Sequence, residues 1–308
     1  MLKKVFIDGS AGTTGLRIYD RLKDRTDIKL ITLCDELRKD VSARKEALNN
    51  ADIAFLCLPD KAAIEAVSLI ENENTAVIDT STAHRVLSGW TYGFAELLES
   101  YDEIRNSKRI ANPGCHASGF NALVAPLTKA GVLKKSAQLS CFSLTGYSGG
   151  GKQMIAQYED DARDTLLDAP RMYGLTQNHK HIPEMVKVSE LENAPAFCPV
   201  VSDFYAGMQV TVPIFKSDLN GSLSDIKDIY KSVYSGKIVH FDDVAQESGF
   251  MSSNAFALKD DMQITVCGND DRILLVSRFD NLGKGASGSA IQNMNILLGA
   301  DECTGLNI

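Results

Sequence analysis

Short apolar runs alternate with amphipathic segments over the first 80 residues of the chain. The apolar runs are Val5–Ile7, Ile28–Leu33, Ile53–Leu58 and Ala76–Ile78. Helical periodicity separates them, and the first such segment places Leu16, Tyr19 and Leu22 on one face. Strands that are apolar on both faces are typical of a parallel sheet covered by helices on both sides. The pattern therefore predicts an α/β domain with a doubly wound parallel sheet.

The pattern changes beyond about residue 136, where strand-like segments become longer and several alternate apolar with polar positions. These segments are Gln138–Leu144, Gln209–Phe215, Met262–Cys267 and Arg272–Phe279. Helical periodicity returns at Ser224–Ser235 and again at Ser287–Leu298. Alternation is typical of antiparallel strands with one buried face. We expect a second, α+β domain built on a mostly antiparallel sheet.

A glycine-rich loop, Gly9-Ser10-Ala11-Gly12-Thr13-Thr14-Gly15, joins the first strand to the first helix. A dinucleotide pyrophosphate must approach the backbone N–H groups of such a loop, and side chains there would keep it away. Gly9 would permit the tight turn, Gly12 the close approach, and Gly15 the packing of helix on strand. The strand–loop–helix context predicts a Rossmann-like nucleotide site at residues 9–15.

The residues after the second strand bear on the choice between NAD and NADP. Asp35 stands 20 residues beyond Gly15, where an acidic side chain favours a free ribose hydroxyl. Arg38 and Lys39 follow at once, and either could bind a 2′-phosphate. The residues alone leave both cofactors open.

Cys115 is the candidate nucleophile. Pro113 and Gly114 precede it, and apolar residues recur at helical spacing from Phe120 to Leu127. Cys115 is therefore predicted to lie at a helix N-terminus, an environment that lowers the pKa of a cysteine into the reactive range. A thiolate of this kind acts by forming a covalent intermediate.

Two histidines, in His179-Lys-His181-Ile-Pro-Glu184, are candidates for proton transfer to and from the Cys115 site. Either of the two could serve. A His-x-His pair can also bind metal, but no cysteine or third histidine lies near it in the sequence, so we expect no metal site. A second glycine loop, Thr145–Lys152, would bring N–H groups and the Lys152 ammonium to an anion such as phosphate.

Composition narrows the class of protein further. The net charge is −8 and the basic residues are scattered, which is unlike a nucleic-acid-binding surface. The seven cysteines are widely spaced and contain no CxxC pair, so a disulfide framework is not expected. Without an apolar run of membrane-spanning length or a secretory signal pattern, we expect a cytoplasmic protein that binds neither membrane nor nucleic acid.

The motifs, taken together and in this order, resemble the N-acetyl-gamma-glutamyl-phosphate reductase family, shorter type, of the semialdehyde dehydrogenase superfamily. The resemblance extends almost from end to end. Besides the first glycine loop, it rests on Phe55–Asp60, Ile78–Arg85, Tyr92–Leu97, Asn112–Cys115, Tyr147–Lys152, His179–Glu184 and Ser287–Asn295.

The resemblance implies an NADPH-dependent enzyme of arginine biosynthesis that reduces N-acetyl-γ-glutamyl phosphate to N-acetylglutamate semialdehyde and releases phosphate. It implies a nucleotide domain of residues 1–114 plus 285–308, to which the C-terminal helix returns. Residues 115–284 would form the catalytic and dimerisation domain. The protein is then expected to be a homo-oligomer, a dimer or a tetramer.

The resemblance also assigns residues. Cys115 matches the nucleophile, and His179 and His181 match the histidine motif. Ser148, Gly149 and Asn281 would contact the nucleotide alongside residues 9–15 and Arg38. Arg85 and Lys152 would bind the substrate. Two rival hypotheses are an enzyme of the aspartate semialdehyde dehydrogenase type and a nucleotide-binding regulator without turnover.

Overall fold

A computed structural model describes residues 2–97 and 101–308 of the chain. Its strands are β1 (Lys3–Asp8), β2 (Ile28–Ile31), β3 (Ile53–Leu56), β4 (Ala76–Asp79), β5 (Thr91–Tyr92), β6 (Arg109–Ala111), β7 (Ser140–Gly146), β8 (Arg171–Met172), β9 (Ala196–Ser202), β10 (Met208–Phe215), β11 (Val239–Phe241), β12 (Met262–Asn269) and β13 (Arg272–Phe279). Its α-helices are α1 (Thr13–Leu22), α2 (Val41–Asn50), α3 (Asp60–Ser68), α4 (Tyr101–Asn106), α5 (Cys115–Lys129), α6 (Gly151–Tyr158), α7 (Ile182–Val188), α8 (Leu223–Val233) and α9 (Gly288–Leu298).

The described residues divide into two compact units. The first contains residues 2–95 and 101–113 together with Ala286–Leu306. The second contains Gly114–Gly285 and the short pieces 96–97 and 307–308.

The first unit is built on a six-stranded parallel sheet with strand order β2-β1-β3-β4-β6-β5. The chain passes from β1 to β2 on one side and then to β3 on the other, so the strand order reverses between β1 and β3. In open α/β sheets, ligands bind outside the carboxyl ends of the strands at such a reversal. The loops that follow β1 and β3 therefore lie where a nucleotide is expected.

Helices cover both faces of this sheet. Val5 and Ile7 point to the face covered by α1, α4 and α9, whereas Phe6 points to the face covered by α2 and α3. Strands buried on both sides explain the nearly continuous apolar runs in the sequence. The predicted doubly wound parallel sheet is confirmed.

The rotation of α1 differs from the sequence prediction. Gly15, Ile18 and Leu22 are its buried residues, whereas Leu16 is 46% exposed. A Cβ on Gly15 would lie 2.3 Å from the Gly9 carbonyl oxygen. This close packing of Gly15 against the loop sets the rotation of the helix, so that Leu16 faces outward.

The second unit contains a seven-stranded mixed sheet of order β11-β12-β13-β10-β7-β9-β8. Four of its six strand pairs are antiparallel, and β7–β9 and β11–β12 are parallel. The prediction of a mostly antiparallel sheet is confirmed.

Helix α5 is the central helix of the second unit. Every residue from His116 to Thr128 is buried, and the helix packs against β10, β13, α7 and α8. A helix that is buried on all sides is held by its neighbours at each turn. Its first residue, Cys115, therefore has a well-defined position in this unit.

No α-helix within residues 2–97 and 101–308 combines the length and the apolar character that crossing a membrane would require.

Candidate active site

The first glycine loop connects the carboxyl end of β1 to the N-terminus of α1. Gly9 has a φ of +86°, and a Cβ there would lie 2.2 Å from the Cys57 carbonyl oxygen. The Gly12 N–H donates to the Gly9 carbonyl, and Gly12 is the N-cap of α1 without a side-chain cap. The loop thus leaves the first N–H groups of a helix available to an anion.

Gly12 differs from Gly9 and Gly15 in the space around it. The nearest atom to a Cβ on Gly12 is the Gly9 carbonyl oxygen at 3.4 Å, an ordinary contact. Its φ of −73° and ψ of 166° also suit any residue. Packing and backbone conformation therefore require glycine at 9 and 15 but not at 12. A pyrophosphate approaching the backbone accounts for glycine at position 12, so the loop fits a dinucleotide.

Two alanine variants separate these roles. Gly9→Ala is expected to lower the free energy of unfolding by about 1–3 kcal/mol, because it forces a non-glycine residue into a positive-φ position with a backbone clash. Gly12→Ala changes only the N-cap residue of α1, so it should lower the free energy of unfolding by less than about 1 kcal/mol. It should raise the KM for NADPH about tenfold, because a methyl group holds the pyrophosphate beyond hydrogen-bond distance. Chemical denaturation and initial rates measure the two effects. Equal destabilisation by both variants would contradict this division.

A buried ion pair anchors the start of the loop. The Arg44 Nη2 atom of α2 lies 2.9 Å from Asp8 Oδ2, and both side chains are more than nine-tenths buried. Arg44 also lies 3.4 Å from Glu65 on α3. Burial raises the pKa of Asp8, and the Arg44 guanidinium opposes that rise. Arg44 thus compensates a carboxylate buried one residue before Gly9.

The turn after β2 contains the residues that bear on cofactor choice. The Arg38 guanidinium lies 3.1 Å from the Asp35 carboxylate, and the Asp35 side chain is 83% exposed. An acidic residue paired with an adjacent arginine is less suited to binding a ribose hydroxyl than a lone carboxylate. The turn thus presents an arginine and an exposed carboxylate side by side.

Arg85 is held beside the carboxyl ends of β4 and β6. Its guanidinium donates to the Thr80 and Asn112 carbonyl oxygens, each at 2.9 Å. The preceding residue, His84, is buried, binds the Asp79 carboxylate at 2.6 Å and stacks on Trp90 with ring centroids 4.0 Å apart. Arg85 is therefore positioned by backbone acceptors on a rigid part of the first unit.

Cys115 is the first residue of α5, as predicted. Its N-cap, Gly114, has no side-chain cap. The Gly114 N–H instead donates to Glu184 Oε1 at 2.8 Å, and Glu184 is 1% exposed. A Cβ added to Gly285 would lie 3.0 Å from the Cys115 Cβ. The hydrogen bond to Glu184 thus orients the backbone N–H of the residue before Cys115. Gly285 leaves room for the Cys115 side chain.

His179 and His181 lie together in the second unit, and His116 joins them. The ring centroid of His116 is 5.7 Å from that of His179 and 5.5 Å from that of His181. The two motif histidines are 4.8 Å apart. Burial, and then the charge of His179, lower the pKa of His116 to about 3. His116 is therefore neutral at physiological pH.

The sequence argument that no third histidine lies near the pair is wrong in three dimensions. His116 is distant in sequence but adjacent in space, because α5 and the segment before α7 meet in the core. Both of its ring nitrogens are engaged, Nδ1 with Ser143 and Nε2 with Tyr173. Within the part of the chain that the structure describes, no three His, Cys, Asp or Glu side chains form a metal-binding group.

The second glycine loop brings Ser148, Gly149 and Asn281 together. Asn281 Nδ2 donates to the buried Ser148 hydroxyl at 2.9 Å, and its Oδ1 accepts from the Gly207 N–H at 3.0 Å. A Cβ on Gly149 would lie 3.2 Å from Asn281 Nδ2. Because the Ser148 side chain is fully buried, the loop presents backbone atoms rather than this hydroxyl. Lys152 is exposed in the first turn of α6.

Sequence reasoning missed His116, Tyr173 and Ser143 and gave no role to Glu184. His116 follows Cys115 directly, which was the one local signal for its place in the site. Ser143 and Tyr173 are 27 and 57 residues away from His116, and only the fold brings them to it.

Comparison with known proteins identifies the family of the chain. The family model described as "Semialdehyde dehydrogenase, NAD binding domain" matches residues 4–106, and "Semialdehyde dehydrogenase, dimerisation domain" matches residues 115–281. N-acetyl-gamma-glutamyl-phosphate reductase of Sinorhizobium medicae is 43% identical, over 97% of this chain and 100% of that protein. The protein of the same name from Brucella ovis is 45% identical, over 97% of this chain and 100% of that protein. N-acetyl-gamma-glutamyl-phosphate reductase 2 of Nostoc sp. is 42% identical, over 98% of this chain and 99% of that protein.

The chain belongs to the N-acetyl-gamma-glutamyl-phosphate reductase family. The resemblance inferred from the sequence motifs is thereby confirmed.

Solved structures of aspartate semialdehyde dehydrogenases have the same fold as this reductase family member. Aspartate semialdehyde dehydrogenase II from Vibrio cholerae has a TM-score of 0.72 at 15% identity, covering 97% of this chain and 99% of that chain. The Francisella tularensis enzyme has a TM-score of 0.71 at 16% identity, covering 97% and 100%. At this identity the likeness concerns the fold alone. The rival hypothesis of an aspartate semialdehyde dehydrogenase therefore has only structural neighbours in its favour.

Proposed function

We propose that this chain reduces N-acetyl-γ-glutamyl phosphate to N-acetylglutamate semialdehyde with NADPH and releases phosphate, a step of arginine biosynthesis. The observation that carries the proposal is that Cys115 begins α5 in a chain of this reductase family. The next residue, His116, has its ring centroid 5.7 Å from that of His179 and 5.5 Å from that of His181. The homologues named for this reaction, which match nearly the whole chain, support the substrate.

Cys115 begins the reaction by attacking the acyl phosphate carbonyl carbon as a thiolate. A carbon–sulfur bond forms, the carbon–oxygen bond to phosphate breaks, and phosphate leaves with the electron pair. Arg85, Lys152 and the N–H groups of the second glycine loop are the groups proposed to meet the phosphoryl charge. The product of this step is a thioester on Cys115.

NADPH supplies the hydride that brings the thioester carbon to the aldehyde level. His179 or His181 provides the proton for the resulting hydroxyl and removes it again as the thiohemiacetal collapses. The carbon–sulfur bond then breaks, which restores the Cys115 thiolate and releases the semialdehyde. A thioester suits this sequence because it accepts hydride more readily than a carboxylate does.

The cofactor-binding residues of the proposal are residues 9–15 and Arg38 in the first unit and Ser148, Gly149 and Asn281 in the second. The nucleotide domain would comprise residues 1–114 plus 285–308, and residues 115–284 would form the catalytic domain. The match to a dimerisation domain supports a homo-oligomer. Membership of a biosynthetic reductase family supports a cytoplasmic location.

The reverse reaction tests the proposal. Wild-type protein should reduce NADP⁺ in the presence of N-acetylglutamate semialdehyde, and only when phosphate is added, because phosphate must cleave the thioester. Aspartate semialdehyde serves as the competing substrate. Turnover with aspartate semialdehyde alone would move the assignment to that enzyme class, and cofactor binding without turnover on either aldehyde would favour the regulator.

Arg38→Ser tests the cofactor assignment. It should raise the KM for NADPH roughly tenfold, because a charge-assisted hydrogen bond contributes about 1.5–3 kcal/mol. The KM for NADH should change little, since NADH has no 2′-phosphate. Lys23→Ser, which removes an exposed cation of the same unit, is the matched control. Equal changes in the two KM values would exclude a contact between Arg38 and the 2′-phosphate.

A further inference from the structure

Gly285 borders the candidate nucleophile. A Cβ added to Gly285 would lie 3.0 Å from the Cys115 Cβ, a separation tighter than nine in ten Cβ contacts in proteins. Both residues belong to the second unit, and Cys115 is half-buried. The volume that a side chain at 285 would fill therefore lies directly beside the Cys115 side chain.

The backbone conformation at position 285 does not require glycine. The φ of Gly285 lies outside the left-handed region that favours this residue, whereas Gly9 has a φ of +86°. An alanine at 285 would therefore meet no conformational barrier. What it would change is the packing around the position.

Packing limits the size of residue 285. Besides the Cys115 Cβ, a Cβ at this position would meet the Asp280 carbonyl oxygen at 3.0 Å and Phe279 Cε2 at 3.3 Å. Asp280 and Phe279 are fully buried, and close-packed interiors leave such neighbours little room to move. Of the three neighbours, the half-buried Cys115 side chain is the one that an added methyl group would displace.

The segment before Gly285 is wound around the buried Asp280 carboxylate. Asp280 Oδ1 accepts from the Leu282 N–H at 2.8 Å and from the Gly283 N–H at 2.6 Å. Its Oδ2 accepts from the Leu258 N–H at 2.6 Å. The Gly285 N–H in turn donates to the Asp280 carbonyl oxygen at 3.0 Å. Gly285 is thus tied to a segment whose own hydrogen bonds hold it in place.

A buried ion pair fixes the residue directly before Gly285. Lys284 Nζ lies 2.6 Å from Glu96 Oε2, and the two side chains are 0% and 7% exposed. Moving Lys284 would leave a buried charge without its partner, which is strongly destabilising. A Cβ on Gly283 would lie 1.9 Å from the Lys259 carbonyl oxygen, so this part of the segment is closely packed as well. Gly285 therefore cannot easily move away from Cys115.

Cys115 is held on its own side by α5. The helix is buried from His116 to Thr128, and the Gly114 N–H donates to Glu184 Oε1 at 2.8 Å. Two fixed segments thus meet at Cys115, and neither yields readily when a neighbour is enlarged. The size of residue 285 therefore determines how much space remains beside the Cys115 side chain.

We propose that Gly285 is a specificity-determining residue that sets the size of the group that the Cys115 sulfur can carry. The sulfur is one bond from the Cys115 Cβ, so a group attached to it begins beside the volume that Gly285 leaves open. In the proposed reaction this group is the acyl chain of the thioester, and that part of the inference rests on the proposed function. The effect of residue 285 on other groups bound to Cys115 does not.

Alkyl methanethiosulfonates test the proposal, because they vary the size of the group while the chemistry stays the same. The Cys115 thiolate attacks the alkyl-bearing sulfur, a disulfide bond forms, and methanesulfinate leaves. Rates come from mass spectrometry of the Cys115 peptide and are divided by the rates of the same reagents with glutathione. In Gly285→Ala, the methyl reagent should react within about twofold of its wild-type rate, and the benzyl reagent at least about tenfold more slowly.

Gly236→Ala is the matched control in the same unit. A Cβ there would lie 3.6 Å from the Val239 carbonyl oxygen, an ordinary contact, so neither rate should change. A benzyl rate that is not reduced in Gly285→Ala would contradict the proposal. Equal slowing of both reagents would do so too, since it would indicate a general disturbance of Cys115.

A second measurement uses the wild-type sequence and does not depend on the folding of Gly285→Ala. The dipeptide Lys-Gly occurs once in the chain, at 284–285. Protein labelled with carbonyl-¹³C lysine and ¹⁵N glycine therefore gives a single HNCO signal, that of the Gly285 N–H. This signal should shift when Cys115 carries a methylthio group and shift further with a benzylthio group.

Cys115→Ala treated with the same reagents controls for modification of the other cysteines, and its Gly285 signal should stay in place. A wild-type signal that does not move, or one that moves equally in Cys115→Ala, would overturn the proposal. Neither measurement uses substrate or turnover. A failure of the proposed reductase activity is therefore distinguishable from a failure of this role of Gly285.

Discussion

Cys115→Ala is expected to reduce kcat/KM for the reductase reaction by at least about 10⁴-fold, an effect typical of removing a covalent nucleophile. Without the sulfur no thioester forms, and hydride would have to displace phosphate from an acyl phosphate directly. NADPH binding should be unchanged, because the cofactor contacts proposed here do not include the Cys115 side chain. Initial rates of NADPH oxidation and calorimetric titration with NADPH measure the two quantities.

Cys34→Ala provides the control for this variant, because Cys34 is an exposed cysteine of the first unit. It should retain full activity, which would show that the loss in Cys115→Ala is specific to one thiol. Retention of more than about 1% of wild-type kcat/KM in Cys115→Ala would exclude the thioester route.

Arg44→Met should lower the free energy of unfolding of the first unit by about 3–5 kcal/mol, because it leaves the buried Asp8 carboxylate without its cation. The single tryptophan of the chain, Trp90, lies in this unit, so its fluorescence during urea denaturation reports the unfolding of that unit. Lys45→Met is the matched control on the same helix. It removes an exposed ion pair with Glu71 and should cost less than about 1 kcal/mol.

The loss in free energy of unfolding caused by Arg44→Met should depend on pH. The folded-state pKa of Asp8 is already raised by burial, and removing Arg44 removes the interaction that lowers it. A carboxyl whose pKa is raised on folding destabilises the folded state above that pKa, and the loss is recovered as pH falls through it. The deficit should therefore be larger at about pH 8 than at about pH 5. Asp8→Asn added to Arg44→Met should restore part of the stability, and a pH-independent deficit would contradict this account.

Local patterns were sufficient to predict the first sheet and the position of Cys115. The apolar runs that form β1, β3 and β4 are buried on both faces of the sheet. Strands buried in this way have nearly continuous apolar sequences, which can be recognised without knowledge of the fold. Pro113 and Gly114 preceded a run of helical periodicity, which is why Cys115 could be placed at a helix N-terminus. These features depend on neighbours within a few residues along the chain.

Features that depend on contacts between distant residues could not be predicted in the same way. The rotation of α1 follows from Gly15 packing on the Gly9 carbonyl, and hydrophobicity alone favoured Leu16 on the buried face. The hydrogen bonds of His116 reach Ser143 and Tyr173 on other elements. By contrast, the sequence motif assigned a different role to each of glycines 9, 12 and 15, and their surroundings show that packing requires glycine at 9 and 15 but not at 12.

Helix α9 has a consequence for how the protein is made. Ala290, Ile291 and Met294 complete the apolar layer on one face of the first sheet, although the whole of Gly114–Gly285 is synthesised before them. Nearly all of the second unit therefore leaves the ribosome while the first unit still lacks α9, the helix that completes the apolar core on one face of its sheet. Since units tend to fold as they emerge, we expect the second unit to fold first. The N-terminal part of the first unit should keep apolar strand surface exposed until α9 has been synthesised.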